Sequence, residues 1–243
     1  MPDKIFKMKK ATLMLIALIT IVACGEKNAD LTVTGTIKGL KKGTVYLQAV
    51  RDTTLLMLDS VSINGEEPFI LQSELEEPEV LYLMLDKNSK EEERIAFFAD
   101  KGTTQINTSL KRYAFEPEII GSKQQEKLAE YRKMMSRFND RNLELIKEKF
   151  EAQQSGDSAQ IQAKENEANN LLKRRYLYAI NFALINKNSE VAPYIALAEV
   201  FDANTKYLDT IYNALPENIA SSRYGIQLRE FIKERKTQED SVQ

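Results

Sequence analysis

The segment Val80–Leu85 has the sequence VLYLML and contains six apolar residues in succession. Side chains of a β-strand point alternately to its two faces, so a strand with one wet face alternates between apolar and polar residues. An unbroken apolar run of this length is typical of a strand that is covered on both faces. The segment therefore predicts a β-strand with apolar partners on both sides.

The segments on either side of this run alternate between apolar and polar residues. Leu31–Ile37 alternates with threonines, and Val45–Ala49 alternates after a turn at Gly39–Gly43. Such alternation predicts strands with one buried face. Further strands are predicted over Leu55–Ile63, Phe69–Leu75, Ile95–Phe98 and Thr104–Thr108.

Turn residues between these segments predict two hairpins. Asn64-Gly65 is a strong hairpin signal because both residues tolerate positive φ, so we expect the strands before and after it to pair. Asp100-Lys101-Gly102 predicts a second hairpin between the strands that flank it. Several short strands with regular turns indicate an antiparallel β-sandwich or a curled barrel over residues 31–120.

From Ser122 onward, apolar residues recur every three or four positions, which predicts helices. Ser155-Gly156-Asp157-Ser158 ends the first helix and supplies an N-cap for a second, which runs to about Lys187. So short a connection predicts antiparallel neighbours. The predicted apolar stripes are Leu128, Tyr131, Met135, Phe138, Leu145 and Phe150 in the first helix, and Ile161, Ala168, Leu172, Tyr176, Ala179 and Ala183 in the second.

Shorter helices are expected after Ser189, over Tyr207–Leu215 and over Tyr224–Lys236. They complete a helical region over residues 121–236, and the polar residues 237–243 are expected to fray. The predicted fold class is therefore α+β, with an N-terminal antiparallel β-sandwich or curled barrel followed by a C-terminal α-helical region.

The N-terminal residues 1–23 have the pattern of a signal peptide. Four lysines between Lys4 and Lys10 precede Ala11–Ala23, a largely apolar stretch without charge. That stretch is about two-thirds of the ~20 residues that a membrane-spanning helix needs, and it fits the apolar core of a signal peptide better. The sequence leaves open whether translation starts at Met1 or Met8.

The end of that stretch, Ile21-Val22-Ala23-Cys24, resembles the lipobox of bacterial lipoproteins. The resemblance implies cleavage before Cys24 and lipidation of its thiol, so that residues 24–30 form a lipidated tether. Several acyl chains hold a protein firmly on a membrane, whereas one anchors it only marginally. Gly25 after the cysteine resembles the pattern for sorting to the outer membrane, so we expect a lipid-anchored protein of the cell envelope. An ordinary cleaved signal, or an uncleaved anchor with an incidental cysteine, remains the alternative.

Composition excludes several function classes. The chain has no histidine, which removes the commonest general base and metal ligand, and Cys24 has no partner cysteine for dithiol chemistry. A formal net charge of −2 gives no overall attraction to nucleic acid. We therefore predict no catalytic residue, no metal site, no cofactor and no nucleic-acid partner.

Three groups of residues carry weaker signals. The acidic clusters Glu66-Glu67 and Glu91-Glu92-Glu93-Arg94 are typical of solvated surface. Lys173-Arg174-Arg175-Tyr176 could grip a phosphate or an acidic partner, but such a run is usually the wet face of a helix. The helical half contains many aromatic residues, which either line a groove for a ligand or, as we favour, fill the gap between helices and sheet: Tyr176, Tyr178, Phe182, Tyr194, Phe201, Tyr207, Tyr212 and Tyr224.

The first half of the chain resembles domain of unknown function 4369. The residues that carry the resemblance are Thr34–Ile37, Gly43–Leu47, Asp59–Val61 and Asn64-Gly65 with Pro68-Phe69. Asn188–Ala192, Leu215-Pro216 and Ser222–Gly225 are similar to the helical stretch that follows the domain in its relatives. In many relatives a thioredoxin-like module with Cys-x-x-Cys comes next, and this sequence has no such motif. The resemblance therefore implies no catalytic residue here.

These features favour a lipid-anchored, non-catalytic binding or accessory module with a membrane contact through its anchor and an envelope protein as partner. The resemblance implies an alternative, an accessory partner of an envelope thioredoxin-like thiol–disulfide protein. A third hypothesis is a hydrolase that uses carboxylates, because these are the main acid–base groups left in the sequence.

Overall fold

The computed structural model of the chain describes residues 29–51, 53–65, 68–86, 93–115 and 117–241. Eight strands come first: β1 Leu31–Lys38, β2 Lys42–Arg51, β3 Thr54–Asn64, β4 Phe69–Ser73, β5 Glu79–Asp86, β6 Glu93–Ala99, β7 Gly102–Ser109 and β8 Glu118–Ile120. Six α-helices follow among the described residues: α1 Lys123–Ser155, α2 Ser158–Ile185, α3 Val191–Glu199, α4 Thr205–Ala214, α5 Glu217–Ala220 and α6 Arg223–Ser241. This order confirms the predicted α+β class.

The strands form two four-stranded sheets that pack face to face. The outer sheet has the order β4-β1-β7-β8, and the central sheet has the order β3-β2-β5-β6. Apolar side chains from both inner faces are fully buried between them, including Val33 and Leu71 of the outer sheet and Leu47 and Leu83 of the central sheet. The two sheets do not close on each other, so the sandwich is the correct alternative and the curled barrel is not.

The other face of the central sheet carries the helices. Val80 of β5 and Phe98 of β6 belong to a second core that they share with α1, α2, α3 and the later helices, while Leu81 and Leu83 face the sandwich core. The prediction that Val80–Leu85 is covered on both faces is confirmed. The molecule therefore has three layers, with β5 in the middle one.

Both predicted hairpins are wrong, because their strands belong to different sheets. β3 pairs with β2 through Asn64, whereas β4 pairs with β1 from Phe69 to Ser73. This pairing buries Phe69 and Leu71 in the sandwich core. The turn at residues 100–102 likewise carries the chain from β6 in the central sheet to β7 in the outer sheet.

The outer sheet also contains a parallel pair, which the antiparallel expectation did not include. β7 runs parallel to β1 over its full length, from Leu31 opposite Gly102 to Lys38 opposite Ser109. The pair approaches closely at Gly35, where an added Cβ would lie 1.8 Å from the carbonyl oxygen of Ile106. Only glycine fits this position.

The two long helices form the predicted antiparallel hairpin. Ser122 caps α1 by accepting a hydrogen bond from the amide of Gln125, and Gly156 ends it with φ +71°. Asp157 then caps α2 by accepting from the amide of Gln160. The last helix differs from the prediction, because α6 continues past Lys236 to Ser241. The predicted tail is therefore helical as far as Ser241, and residues 242–243 lie outside the described residues.

Candidate functional site

The predicted lipidation site, Cys24, lies outside the described residues, which begin at Ala29. The chain enters the fold at Asp30, whose carbonyl oxygen accepts a hydrogen bond of 2.7 Å from the amide of Gly102. The side chain of Asp30 lies 3.4 Å from Nζ of Lys101. Within residues 29–241, as far as they are described, no helix is both long and apolar enough to cross a membrane.

The predicted acidic clusters are only partly described. Glu66, Glu67, Glu91 and Glu92 lie outside the described residues. Glu93 and Arg94 begin β6, opposite Leu85 and Met84 of β5. Across the described part of the chain, no three metal-binding side chains come together.

Two residues of the basic segment Lys173–Tyr176 contact the end of α3 and the turn that follows it. Arg175 Nη2 lies 3.2 Å from a carboxylate oxygen of Glu199, at the end of α3. The hydroxyl of Tyr176 lies 2.7 Å from both carboxylate oxygens of Asp202, and this hydrogen bond raises the pKa of Tyr176. These two residues therefore join α2 to the segment that follows α3.

Gln124 joins the start of α1 to the start of α3. Its backbone amide donates to Asp100 at 3.0 Å, and its side-chain amide donates to Glu190 at 3.1 Å. Its side-chain oxygen accepts from the Ser189 hydroxyl and from the amide of Val191. Burial raises the pKa of Glu190. The segment Asn188–Ala192, which resembles the helical stretch of DUF4369 relatives, therefore holds the start of α3 against the start of α1.

The residues Arg223–Gly225 dock α6 on the start of β5. Glu79, which is 5% exposed, accepts hydrogen bonds of 2.6 and 2.7 Å from Arg51, and Arg223 lies 3.5 Å away from it. Pairing with Glu79 raises the pKa of Arg51.

The hydroxyl of Tyr224 accepts a hydrogen bond of 2.9 Å from the amide of Val80. An added Cβ at Gly225 would lie 2.1 Å from the carbonyl oxygen of Ile219, so the close approach requires glycine.

Three aromatic rings fill the space between the central sheet and the helices. Phe98 lies edge to face with Tyr194 at 5.5 Å and with Tyr224 at 5.7 Å, and the two tyrosines are 5.3 Å apart. This arrangement is the favoured one for aromatic pairs. The packing role that we favoured for the aromatic residues is confirmed for Tyr194 and Tyr224.

An exposed apolar surface of the helical region lies on the far part of the α1–α2 hairpin. Leu143, Ile146 and Phe150 of α1 and Leu172 of α2 are each between 47% and 65% exposed. We call these four residues the distal hairpin face. A cavity of about 250 Å³ opens beside them between the two helices, and it is lined by Phe138, Asn139, Asn142, Ala168, Asn169, Leu171, Leu172 and Arg175. Phe150 and Leu172 were predicted to belong to the apolar stripes of the two helices, but both are exposed, and Leu171 is the buried residue in this part of α2.

A second exposed apolar surface lies at the turn between β2 and β3. Val50, Leu55, Leu56 and Met57 are between 41% and 58% exposed. We call these residues the β2–β3 tip. The sequence pattern predicted strands here and offered no sign that these side chains would remain uncovered.

Comparison with known families gives one match. The sequence model of the family described as "Domain of unknown function (DUF4369)" matches residues 31–128. Searches of curated proteins and of solved structures found no match. The matched range comprises the whole β-sandwich and the first turns of α1, and it leaves out Ser189–Val191 and Arg223–Gly225. Residues 31–128 of this chain are therefore a DUF4369-like region.

Proposed function

We propose that this chain is a lipid-anchored protein of the cell envelope that acts as a non-catalytic binding module for another protein. Lipidation at Cys24 supplies the anchor, on the pattern of residues 1–24. The observation that supports a binding role is the distal hairpin face. Its four large apolar side chains are each about half exposed or more, and exposed apolar surface of this kind is typical of an interaction site.

The far part of the hairpin is an incomplete helix bundle. In this part of the hairpin, three apolar residues are buried between the helices: Leu145 and Ala152 from α1 and Leu171 from α2. Two helices alone bury little apolar surface, and bundles of this kind are usually completed by further helices. The distal hairpin face supplies the surface on which a further helix would pack.

One side of the hairpin carries a network of charged side chains. Arg141 contacts the carboxylates of Glu144, Glu148 and Glu167 at 2.8, 3.1 and 2.5 Å. The cavity beside the distal hairpin face is lined by the neutral amides of Asn139 and Asn142 and by one charged side chain, Arg175, which pairs with Glu199. Depletion of charge is a property of the cores of protein interfaces. The expected partner therefore contributes an apolar helix that lies in the groove, as in other helix-in-groove complexes.

Site-specific photocrosslinking in cells tests this proposal. A photoreactive amino acid placed at Ile146 should give a crosslinked protein partner. The matched control is the same amino acid at Glu144, which lies two positions away on the charged side and has a side chain that is 64% exposed. Crosslinking from Ile146 alone supports the proposal. Equal crosslinking from both positions, or none from Ile146, contradicts it.

The anchor has its own test. The wild-type chain should be labelled by a fatty-acid probe in cells, and the Cys24→Ala variant should not. Continued labelling of Cys24→Ala would remove Cys24 as the acceptor, and absence of label from the wild type would remove the anchor altogether.

A second candidate function is that of an accessory partner for an envelope thioredoxin-like protein. It is favoured by the DUF4369 match, because the resemblance implies that this domain often precedes such a module. If it is correct, the protein captured from Ile146 should contain a Cys-x-x-Cys motif, and deletion of the gene should alter the disulfide status of envelope proteins. Capture of an unrelated protein with unchanged disulfide status would contradict it.

A further inference from the structure

The β2–β3 tip lies at the end of the sandwich where the chain enters the fold. Leu31 at the start of β1 pairs with Gly102, which follows Ala99 by a short turn. Ala99 pairs with Glu79. Glu79 in turn accepts hydrogen bonds from Arg51, at the end of β2. Asp30 and the β2–β3 tip are therefore at the same end.

The exposed side chains of the tip lie on both faces of the hairpin. Leu55 is opposite Val50, Leu56 is opposite Ala49, and Met57 is opposite Gln48. Because side chains alternate along a strand, Leu55 and Met57 point to one face and Leu56 to the other. A groove in a partner protein covers one face of a ribbon, whereas a fluid apolar phase covers both at once. The tip therefore fits a lipid surface best.

The distance from the anchor to the fold is short. Six residues, Gly25–Asp30, separate Cys24 from β1. Even fully extended, the seven steps from Cys24 to Leu31 span at most about 25 Å. A lipidated Cys24 thus keeps this end of the sandwich close to the bilayer. Binding of the tip to the lipid is then an intramolecular step with a high effective concentration.

We propose that the β2–β3 tip inserts into the bilayer that holds the anchor and so sets the orientation of the sandwich on the membrane. This inference rests on the proposed anchoring through Cys24. The loop from β4 to β5, at the same end, contains Glu74, Glu76 and Glu77, and Glu77 pairs with Arg223 of α6. The charges of Glu74 and Glu76 disfavour an anionic surface, so we expect the tip to enter a lipid surface with zwitterionic headgroups.

The test uses the full lipidated chain reconstituted in phosphatidylcholine vesicles. Met57→Cys provides a thiol for an environment-sensitive fluorophore, since the thiol of a lipidated Cys24 does not react. The matched control is Ser62→Cys, which lies on the same strand and about 16 Å farther from the tip, at 3.3 Å per residue. The fluorophore at Met57→Cys should shift to shorter wavelength and be quenched by nitroxide-labelled lipid. The fluorophore at Ser62→Cys should be quenched only by iodide in the water.

Each result decides the question. If the chain does not float with the vesicles, the anchor fails and this inference fails with it. If the chain floats but the fluorophore at Met57→Cys is quenched by iodide and not by lipid, the insertion of the tip is wrong and the anchor stands. If the same shift occurs without vesicles, in a chain that also carries Cys24→Ala, a second copy covers the tip and the lipid assignment is wrong.

Discussion

Removal of the hydroxyl of Tyr224 tests how the helices are attached to the central sheet. This hydroxyl accepts a hydrogen bond of 2.9 Å from the amide of Val80, next to Leu81, where the pairing of β5 with β2 stops. The Tyr224→Phe variant keeps the ring, which retains its contacts with Phe98 and Tyr194. Only the acceptor is lost, so the variant isolates this one hydrogen bond.

The expected cost follows from the burial of Val80, which is 9% exposed. A buried amide that loses its acceptor costs about 1–3 kcal/mol. With a urea m-value on the order of 3 kcal/mol/M for a chain of this size, the unfolding midpoint should fall by roughly 0.3–1 M. Burial also raises the pKa of Tyr224, so its hydroxyl should ionise at higher pH than an exposed tyrosine in an ultraviolet titration.

Urea unfolding monitored by circular dichroism measures the change in stability. The matched control is Tyr207→Phe, because Tyr207 is 45% exposed and its substitution should change the free energy of unfolding by less than about 0.5 kcal/mol. If Tyr224→Phe and Tyr207→Phe have the same midpoint as the wild type, the hydroxyl of Tyr224 does not hold α6 on β5 and the argument is refuted.

Three further substitutions test other parts of the structure. Gly35→Ala places a Cβ 1.8 Å from the carbonyl oxygen of Ile106, so β1 and β7 must separate. The free energy of unfolding, measured by thermal unfolding, should fall by about 1–3 kcal/mol or more. An unchanged melting temperature would contradict the parallel pair. Burial raises the pKa of Glu190 above its usual value of 4.5, so the wild type loses stability as the pH rises through the raised pKa. Glu190→Gln should therefore be more stable than the wild type at pH 8 and equal to it at pH 4, and a difference independent of pH would argue against burial as the cause. The hydrogen bond from Arg141 lowers the pKa of Glu167, so protonation of Glu167 at acid pH removes a stabilising contact. The helical circular dichroism signal of the hairpin should therefore fall as the pH falls below about 4.5, and it should fall less in Arg141→Ala. An identical acid transition in both proteins would contradict this role of the ion pair.

Local signals in the sequence were sufficient for most of the elements, although they did not predict β8, α5 or the end of α6 at Ser241. The unbroken run Val80–Leu85 correctly indicated a strand with two covered faces, because alternation of side chains is a property of the strand itself. Ser122 and Asp157 correctly marked helix starts, and Gly156 a helix end, because caps and positive φ depend on a few neighbouring residues.

Strand pairing was not predictable in the same way. Asn64-Gly65 permits a hairpin, but β4 pairs with β1 because this places Phe69 and Leu71 in the sandwich core. The gain from burying these side chains depends on residues far away in the chain. A turn signal does not contain that information.

The candidate sites show a similar division. Ser189–Val191 and Arg223–Gly225 resembled relatives, but only the fold showed that they join helix ends to each other and to β5. In α2, Leu171 and Leu172 are neighbours with the same chemistry. The seam of the hairpin buries Leu171 and leaves Leu172 exposed, since the rotation of a helix is set by the helix it packs against.

The sequence by itself determined the α+β order, the nature of each element and the expectation of an anchor at Cys24, because these depend on residues that are close together in the chain. Tertiary structure alone decided which strands pair, which face of the hairpin stays exposed and that the β2–β3 tip and Asp30 lie at the same end of the sandwich. These features arise from competition between distant apolar segments for the same buried space, and that competition is settled only when the whole chain has packed.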